Sequence, residues 1–359
     1  MAIRPALAAT AHRLRTWACA LAMALTGHVA PGAAARDAHD GFPQQLSDTG
    51  LPIAGATGTQ RREVLPFSPQ YPLWSDGTDK RRWIHLPRGR RIDASDPDAW
   101  QFPPGTKLWK EFAYAGRPVE TRLIERRADG RWHFAAYVWS DDGRSATLAP
   151  ADGVVLDVPA APGGRYRVPA RTDCIACHGS TRVPVLGFGA LQLSPERDPA
   201  FASRAGGGGV DLRELVARQM LRGLPASLLE QPPRIAAATP VERAALGYLH
   251  GNCAHCHNTS GLQAPVRLTL AQSVADPKGS HAAVLASMVR APARYRPHGA
   301  PADPQLVVPG HETSSVLLDR MRTREPRVRM PPLGTEVPDP EGLALVTRWI
   351  LDDLPTRQE

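Results

Sequence analysis

Two short strings constrain this 359-residue chain more than anything else in it: Cys174-Ile175-Ala176-Cys177-His178 and Cys253-Ala254-His255-Cys256-His257. Of its five cysteines, four fall in these pentapeptides. The fifth, Cys19, lies inside an apolar run near the start, so no thiol is left over for another role. Two sulfurs three positions apart share one helical turn, and a histidine directly after the second adds an imidazole from the same turn.

That arrangement suits a haem: the thiols add to two vinyl groups and the histidine reaches the iron as proximal ligand. The expectation is therefore two c-type haems. One is held by Cys174 and Cys177 with His178 on the iron, the other by Cys253 and Cys256 with His257 on the iron. A dithiol redox pair would not need a histidine after its second cysteine, twice over. Four thiolates around one zinc ion are also poorly served, because the gap between the pairs is far longer than a compact zinc ribbon uses.

The start of the chain reads as an export signal over residues 1–35. Arg4, Arg13 and Arg15 precede an apolar stretch at 17–26, and Ala33-Ala34-Ala35 offers small residues for cleavage. The apolar stretch is shorter than the ~20 residues that a membrane-spanning helix needs. The mature chain is thus expected in the periplasm, with no transmembrane span. Formal net charge is +8, and loss of those three arginines leaves it positive, which favours docking on an acidic surface of a redox partner protein. No basic run interleaved with aromatics argues for nucleic acid.

The fold class expected is α+β: a β-rich N-terminal domain, a haem-binding segment, and an all-α cytochrome c domain. Residues 36–65 form an irregular lead-in. Residues 66–170 gather six tryptophans (Trp74, Trp83, Trp100, Trp109, Trp132, Trp139) among short β-like runs. The clearest is a hairpin of 120–127 and 131–140 around Ala128-Asp129-Gly130, with Trp132, Phe134, Ala136 and Val138 on one face. Runs at 80–86, 106–114, 154–158 and 166–168 complete one small antiparallel sheet. The segment 171–235 carries the first pentapeptide and a helix at 211–222 whose apolar face holds Leu212, Leu215, Val216 and Met220. In the last part, 236–359, Thr239 caps a helix that begins at Pro240 with Glu242 in the capping-box position. A second amphipathic helix follows Asp339-Pro340 and runs through Leu343, Val346 and Ile350. The 36 prolines and 31 glycines predict long irregular connections between these elements.

This last part resembles the mono-haem (class I) cytochrome c fold. The resemblance rests on the motif-bearing first helix, the turn Pro309-Gly310-His311-Glu312-Thr313-Ser314-Ser315, the string Arg329-Met330-Pro331-Pro332-Leu333-Gly334 and the helix with Trp349. It implies Met330 as the sixth ligand of the second iron, and a thioether beside histidine raises the reduction potential. The longer chain is similar to a family of periplasmic dihaem cytochromes with an N-terminal β-rich region. Its matching strings include Tyr71-Pro72-Leu73-Trp74-Ser75-Asp76-Gly77, residues 80–87, Phe102-Pro103-Pro104-Gly105-Thr106 and Tyr166-Arg167-Val168-Pro169.

The function expected is periplasmic one-electron transfer. The alternatives are a dihaem peroxidase-like enzyme with an open first haem, and a ligand- or partner-binding module with a haem relay. For the first iron's sixth ligand, Met220 is a candidate, although its place on the apolar stripe with Leu212 and Val216 favours plain core packing. His85, His133, His281, His298 and His311 are weaker candidates. The basic run Arg320, Arg322, Arg324, Arg327 and Arg329 reads as a solvated face or as partners for haem propionates. Asp76, Asp79 and Arg81 do not group as an acid/base constellation and read as turn and surface residues.

Overall fold

Between residues 107 and 139 the apolar alternation forces the chain to fold back on itself twice. In the computed structural model, which describes residues 41–52, 63–204, 208–260, 266–299 and 301–354, the expected hairpin is the middle of a larger sheet. β1 (Val64–Pro66), β2 (Asp79–His85), β3 (Ile92–Asp93), β4 (Lys107–Tyr114), β5 (Arg117–Arg126), β6 (Trp132–Trp139) and β7 (Ala146–Leu148) are formed in this region. Six of them make one antiparallel sheet in the order β1-β2-β4-β5-β6-β7. Arg126 stands opposite Trp132 and Glu120 opposite Val138, as the hairpin requires.

Because side chains alternate across a strand, the sheet has two different faces. One buries Trp109, Leu123, Ala135 and Tyr137 beneath Phe42 and Leu46, and the Trp109 indole donates to the Thr49 hydroxyl at 3.0 Å. The other packs Ile84 and Leu108 against Trp100, Phe102, Phe188 and Leu193. Strand β6 is covered on both sides, with Ala135 and Tyr137 in the first of these cores and Ala136 packed with Phe112, Val119 and Tyr166 on the other face.

Three expectations need correction. The strands β8 (Val154–Asp157) and β9 (Arg165–Val168) pair with each other and not with the main sheet. The helix expected at 211–222 stops early: α2 spans Leu212–Ala217, Gln219 takes a φ of 55°, and β10 (Leu221–Arg222) pairs in parallel with β3. Ile92 N–H donates to the Met220 carbonyl at 2.8 Å, so a distant strand captures backbone groups that a helix would have used internally. Finally, the part from residue 236 on is not all-α, and the whole is a mixed fold. Beyond α1 (Arg171–His178) and the short α3 (Ser227–Glu230) earlier in the chain, its helices α4 (Pro240–Cys253), α5 (Pro277–Met288), α6 (Val316–Arg322) and α7 (Pro340–Arg348) are separated by extended backbone, with isolated bridges Val289↔Val307, Pro292↔Gln305 and Gln305↔Ser315. Pro292, Pro297, Pro301, Pro304 and Pro309 deny that stretch a helical ladder.

The helix signals at both ends of this part hold. Thr239 accepts from Glu242 N–H at 3.1 Å, and Glu242 reaches back to Ala238 N–H at 2.6 Å. Asp339 caps α7 by accepting from Gly342 N–H at 3.0 Å. Ala244, Ala245, Leu246, Tyr248 and Leu249 of α4 meet Val346, Trp349 and Ile350, the last two on a π-helical continuation of α7 at Trp349–Asp353. No helix among the described residues is long and apolar enough to cross a membrane. The proposed signal at 1–35 lies outside the described residues.

One close approach ties the helical part to residue 71. The Tyr71 ring, 2% exposed, lies on α4 where Gly247 and Gly251 present no side chain. A Cβ at Gly247 would overlap that ring. Alanine normally stabilises a helix relative to glycine, yet here Gly247→Ala is expected to lose about 1–3 kcal/mol through overpacking. Urea denaturation of the purified variant checks it, and a gain in stability would show that the contact yields easily.

Candidate functional site

The first pentapeptide lies on α1 (Arg171–His178), which follows Pro169 directly from β9. Its start is fixed by the Asp173 carboxylate, which accepts from Ala170 N–H at 3.0 Å. The helix rests on β6, and the His178 ring lies 5.2 Å from that of Phe134. His178 Nδ1 is 2.5 Å from the Pro184 carbonyl oxygen. A carbonyl only accepts, so Nδ1 carries the hydrogen and Nε2 keeps its lone pair free. Burial pushes the His178 pKa down to about 4, against the pull of that carbonyl, so the ring is neutral. A neutral imidazole oriented by a backbone carbonyl is the form in which histidine binds a metal.

The second pentapeptide closes α4. Its last turn continues through His257, whose N–H donates to the Cys253 carbonyl at 2.9 Å. His257 is likewise held neutral, its pKa pushed to about 4 by burial first and by Arg320 second. Its Nδ1 is buried with no hydrogen-bond partner among the described residues. Asn258 then donates to Ser180 O at 3.0 Å and to Ala254 O at 2.8 Å, which pins the residues after one motif to those after the other.

The two motifs therefore stand side by side, although the sequence separates them widely. Cys177 Sγ, Cys256 Sγ and a ring nitrogen of His255 all lie within 4.8 Å of one another. All four motif cysteines are free thiols. Cys174, Cys177, His178, Cys253, Cys256 and His257 line a single cavity of about 2190 Å³, more than twice the ~1,000 Å³ upper range of ordinary small-molecule pockets.

Met330 lines the same cavity. Its loop is held from two sides. Met330 N–H donates to Arg320 O at 2.8 Å, Arg320 Nε donates to Val328 O at 2.7 Å, and Arg324 donates to Met321 O at 2.7 Å and Met330 O at 3.4 Å. From the N-terminal half, the Asp76 carboxylate accepts from Glu336 N–H at 2.9 Å and Val337 N–H at 3.0 Å, and Trp74 Nε1 donates to Val337 O at 3.3 Å. Thus part of the basic run braces this loop, and Asp76 is a clamp and not merely a turn residue.

Met220 is elsewhere. It packs against the core around Ile92 and Leu215 and does not line the cavity. His85, His133, His281, His298 and His311 do not line it either, and His281 pairs with Glu242 at 3.2 Å. The cavity is instead lined by His250, His255, Arg82, Lys110 and Arg122. His250, three positions before Cys253, shares its helical face, a spacing visible in the sequence. The strand cations carried no comparable signal, because their neighbours come from other strands. Comparison with family models, curated proteins and solved structures finds no match to this chain.

The clamp on the Met330 loop is testable through Asp76, whose φ of 49° glycine tolerates. Asp76→Gly is expected to cost about 1 kcal/mol by removing its hydrogen bonds from the Glu336 and Val337 backbone donors. It should also speed amide exchange at Glu336 and Val337. Unchanged exchange at those two amides would show that the loop holds itself.

Proposed function

We propose that this chain is an exported one-electron carrier holding two c-type haems in one cavity. The observation that carries the reading is that the two cysteines and the final histidine of both pentapeptides line a shared space far larger than one small ligand needs. The chemistry of the donors fits: four free thiols, a neutral His178 with Nε2 available, and a His257 ring whose Nδ1 has no protein partner among the described residues. The similarity of the last part to mono-haem cytochromes c and of the longer chain to periplasmic dihaem cytochromes supports the same reading.

In it, Cys174 and Cys177 would hold the first haem and His178 would ligate its iron. Cys253 and Cys256 would hold the second, and His257 and Met330 would supply ligands to its iron. When bound, a haem supplies reversible Fe(III)/Fe(II) exchange. The chain's own residues supply the rest: the thiols fix position, the Pro184 carbonyl orients His178, and walls including Leu108, Ile124, Leu268 and Leu306 keep water away. The two tethering sulfurs Cys177 and Cys256 lie within 4.8 Å of each other, so both groups would be anchored at one place. A positive chain favours an acidic redox partner.

A single metal ion on Cys177, His255 and Cys256 is a competing use of that cluster. It would leave Cys174, Cys253, His178 and His257 without a role, whereas two haems use all of them. The position of Met220 away from the cavity favours one variant of the dihaem reading: a peroxidase in which the first iron keeps an exchangeable position.

Pyridine haemochrome assay of the mature protein from a haem-maturing host is expected to give two haems per chain. A near-infrared Met–iron band should be present and vanish in Met330→Ala. Stoichiometric zinc without haem would overturn the proposal, and a high-spin ferric signal from one haem would select the peroxidase variant.

A further inference from the structure

Strand register gathers an unusual set of charges on the cavity wall. Arg82 of β2 stands opposite Lys110 of β4, and Lys110 stands opposite Arg122 of β5. All three line the cavity. At a strand spacing of about 4.8 Å the row runs roughly 10 Å across the sheet. One step along, the same face carries Ile84, Leu108 and Ile124. The cations are thus set in an apolar wall.

Like charges directly opposite on a sheet repel, and a buried charge without a partner is strongly unfavourable. Of the three, only Arg122 hydrogen-bonds a carboxylate, making two bonds to Glu120 at 2.8 and 2.9 Å, and Glu120 also accepts from the Tyr166 hydroxyl at 2.6 Å. The side chains of Arg82, 8% exposed, and of the part-buried Lys110 make no hydrogen bond or ion pair with the described residues. The Lys110 amine only sits over the Phe112 ring at 4.7 Å. Burial pulls the Arg82 pKa down to about 10, and burial followed by the Arg82 charge holds that of Lys110 well below its usual range. Both side chains face the cavity, where an anion would find two cations without a hydrogen-bonded carboxylate.

We propose that Arg82 and Lys110 form a carboxylate seat on the sheet wall, occupied by the propionates of the haem tethered at Cys174 and Cys177. The inference rests on the dihaem reading. The row borders the first motif: Arg122 lies near enough to the Cys174 thiol, and Lys110 to the His178 ring, for their charges to act on one another. In a haem the vinyl carbons and the propionates lie on opposite edges. Arg82 stands two strands away from Arg122, the cation whose charge acts on the Cys174 thiol. Arginine and lysine both favour carboxylates as charge-assisted donors.

Removing positive charge beside a haem destabilises its reduced form, which carries one more electron. The test is a spectroscopic redox titration of the two-haem protein carrying Arg82→Gln and Lys110→Met. One of the two midpoint potentials is expected to fall by at least tenfold in the reduction equilibrium, ~59 mV for one electron, with the other unchanged. Arg82→Lys, which keeps the charge, should stay near the parent value. Should the double variant not accumulate, the comparison of Arg82→Lys with Arg82→Gln carries the test alone. Two haems with both potentials unmoved would overturn the seat. A parent potential that varies with added acetate or nitrite, and a Gln variant that no longer responds, would assign it to a free anion instead. A haemochrome assay showing no haem on the parent chain would fail the dihaem reading itself, a result distinct from these.

Discussion

The contact between Tyr71 and α4 is what the rest of the arrangement depends on. The ring lies on Gly247 and the Tyr71 carbonyl on Gly251, and next to it Asn252 accepts from Trp74 N–H at 2.7 Å while donating to Tyr248 O at 2.9 Å. An aromatic ring seated on bare helix backbone excludes water, and the buried amide satisfies backbone groups from both partners. Residues 71–74 are thereby fixed to the helix that ends in Cys253. The cavity can then have a sheet for one wall and helices for another.

From that junction the site's other constraints follow as local satisfaction of polar groups. Asn258 crosses from the second motif to Ser180 behind the first, and Asp76 crosses from the loop before β2 to the backbone after Met330. Each is a short polar side chain satisfying backbone groups far away in sequence, a use in which an unmet partner is costly. Together they bring the four motif cysteines, both motif histidines and Met330 to one cavity. They also explain why a loop rich in proline can hold a methionine in place without helical support.

The electrostatics of the cavity are uneven. His178 and His257 are held neutral by burial, which suits ligands, whereas the strand cations on the sheet wall remain in an environment that resists their charge. Of the three cations, Glu120 hydrogen-bonds Arg122 alone. A wall with more buried positive than negative charge is one on which an anionic group gains most, and this gives the β-rich half a part in the site beyond scaffolding.

Much was legible in the residues alone because the relevant physics is local. Thiol spacing within one turn marks the two motifs. Thr239-Pro240 with Glu242, and Asp339-Pro340, set helix starts through hydrogen bonds no more than four residues apart. A run of aromatic and apolar residues at 132–139 after the turn Ala128-Asp129-Gly130 marks a strand. What failed depended on partners elsewhere: periodicity at 211–222 could not show that Ile92 would claim the Met220 carbonyl, nor that proline-rich backbone between α5 and α6 would find bridges instead of helix. The sequence by itself determined which side chains could bind and where elements begin. Only the tertiary structure decided that the two motifs meet, that Met220 stays in a core, and that Arg82, Lys110 and Arg122 stand in a row, since each is set by strand register and by packing between segments distant in the chain.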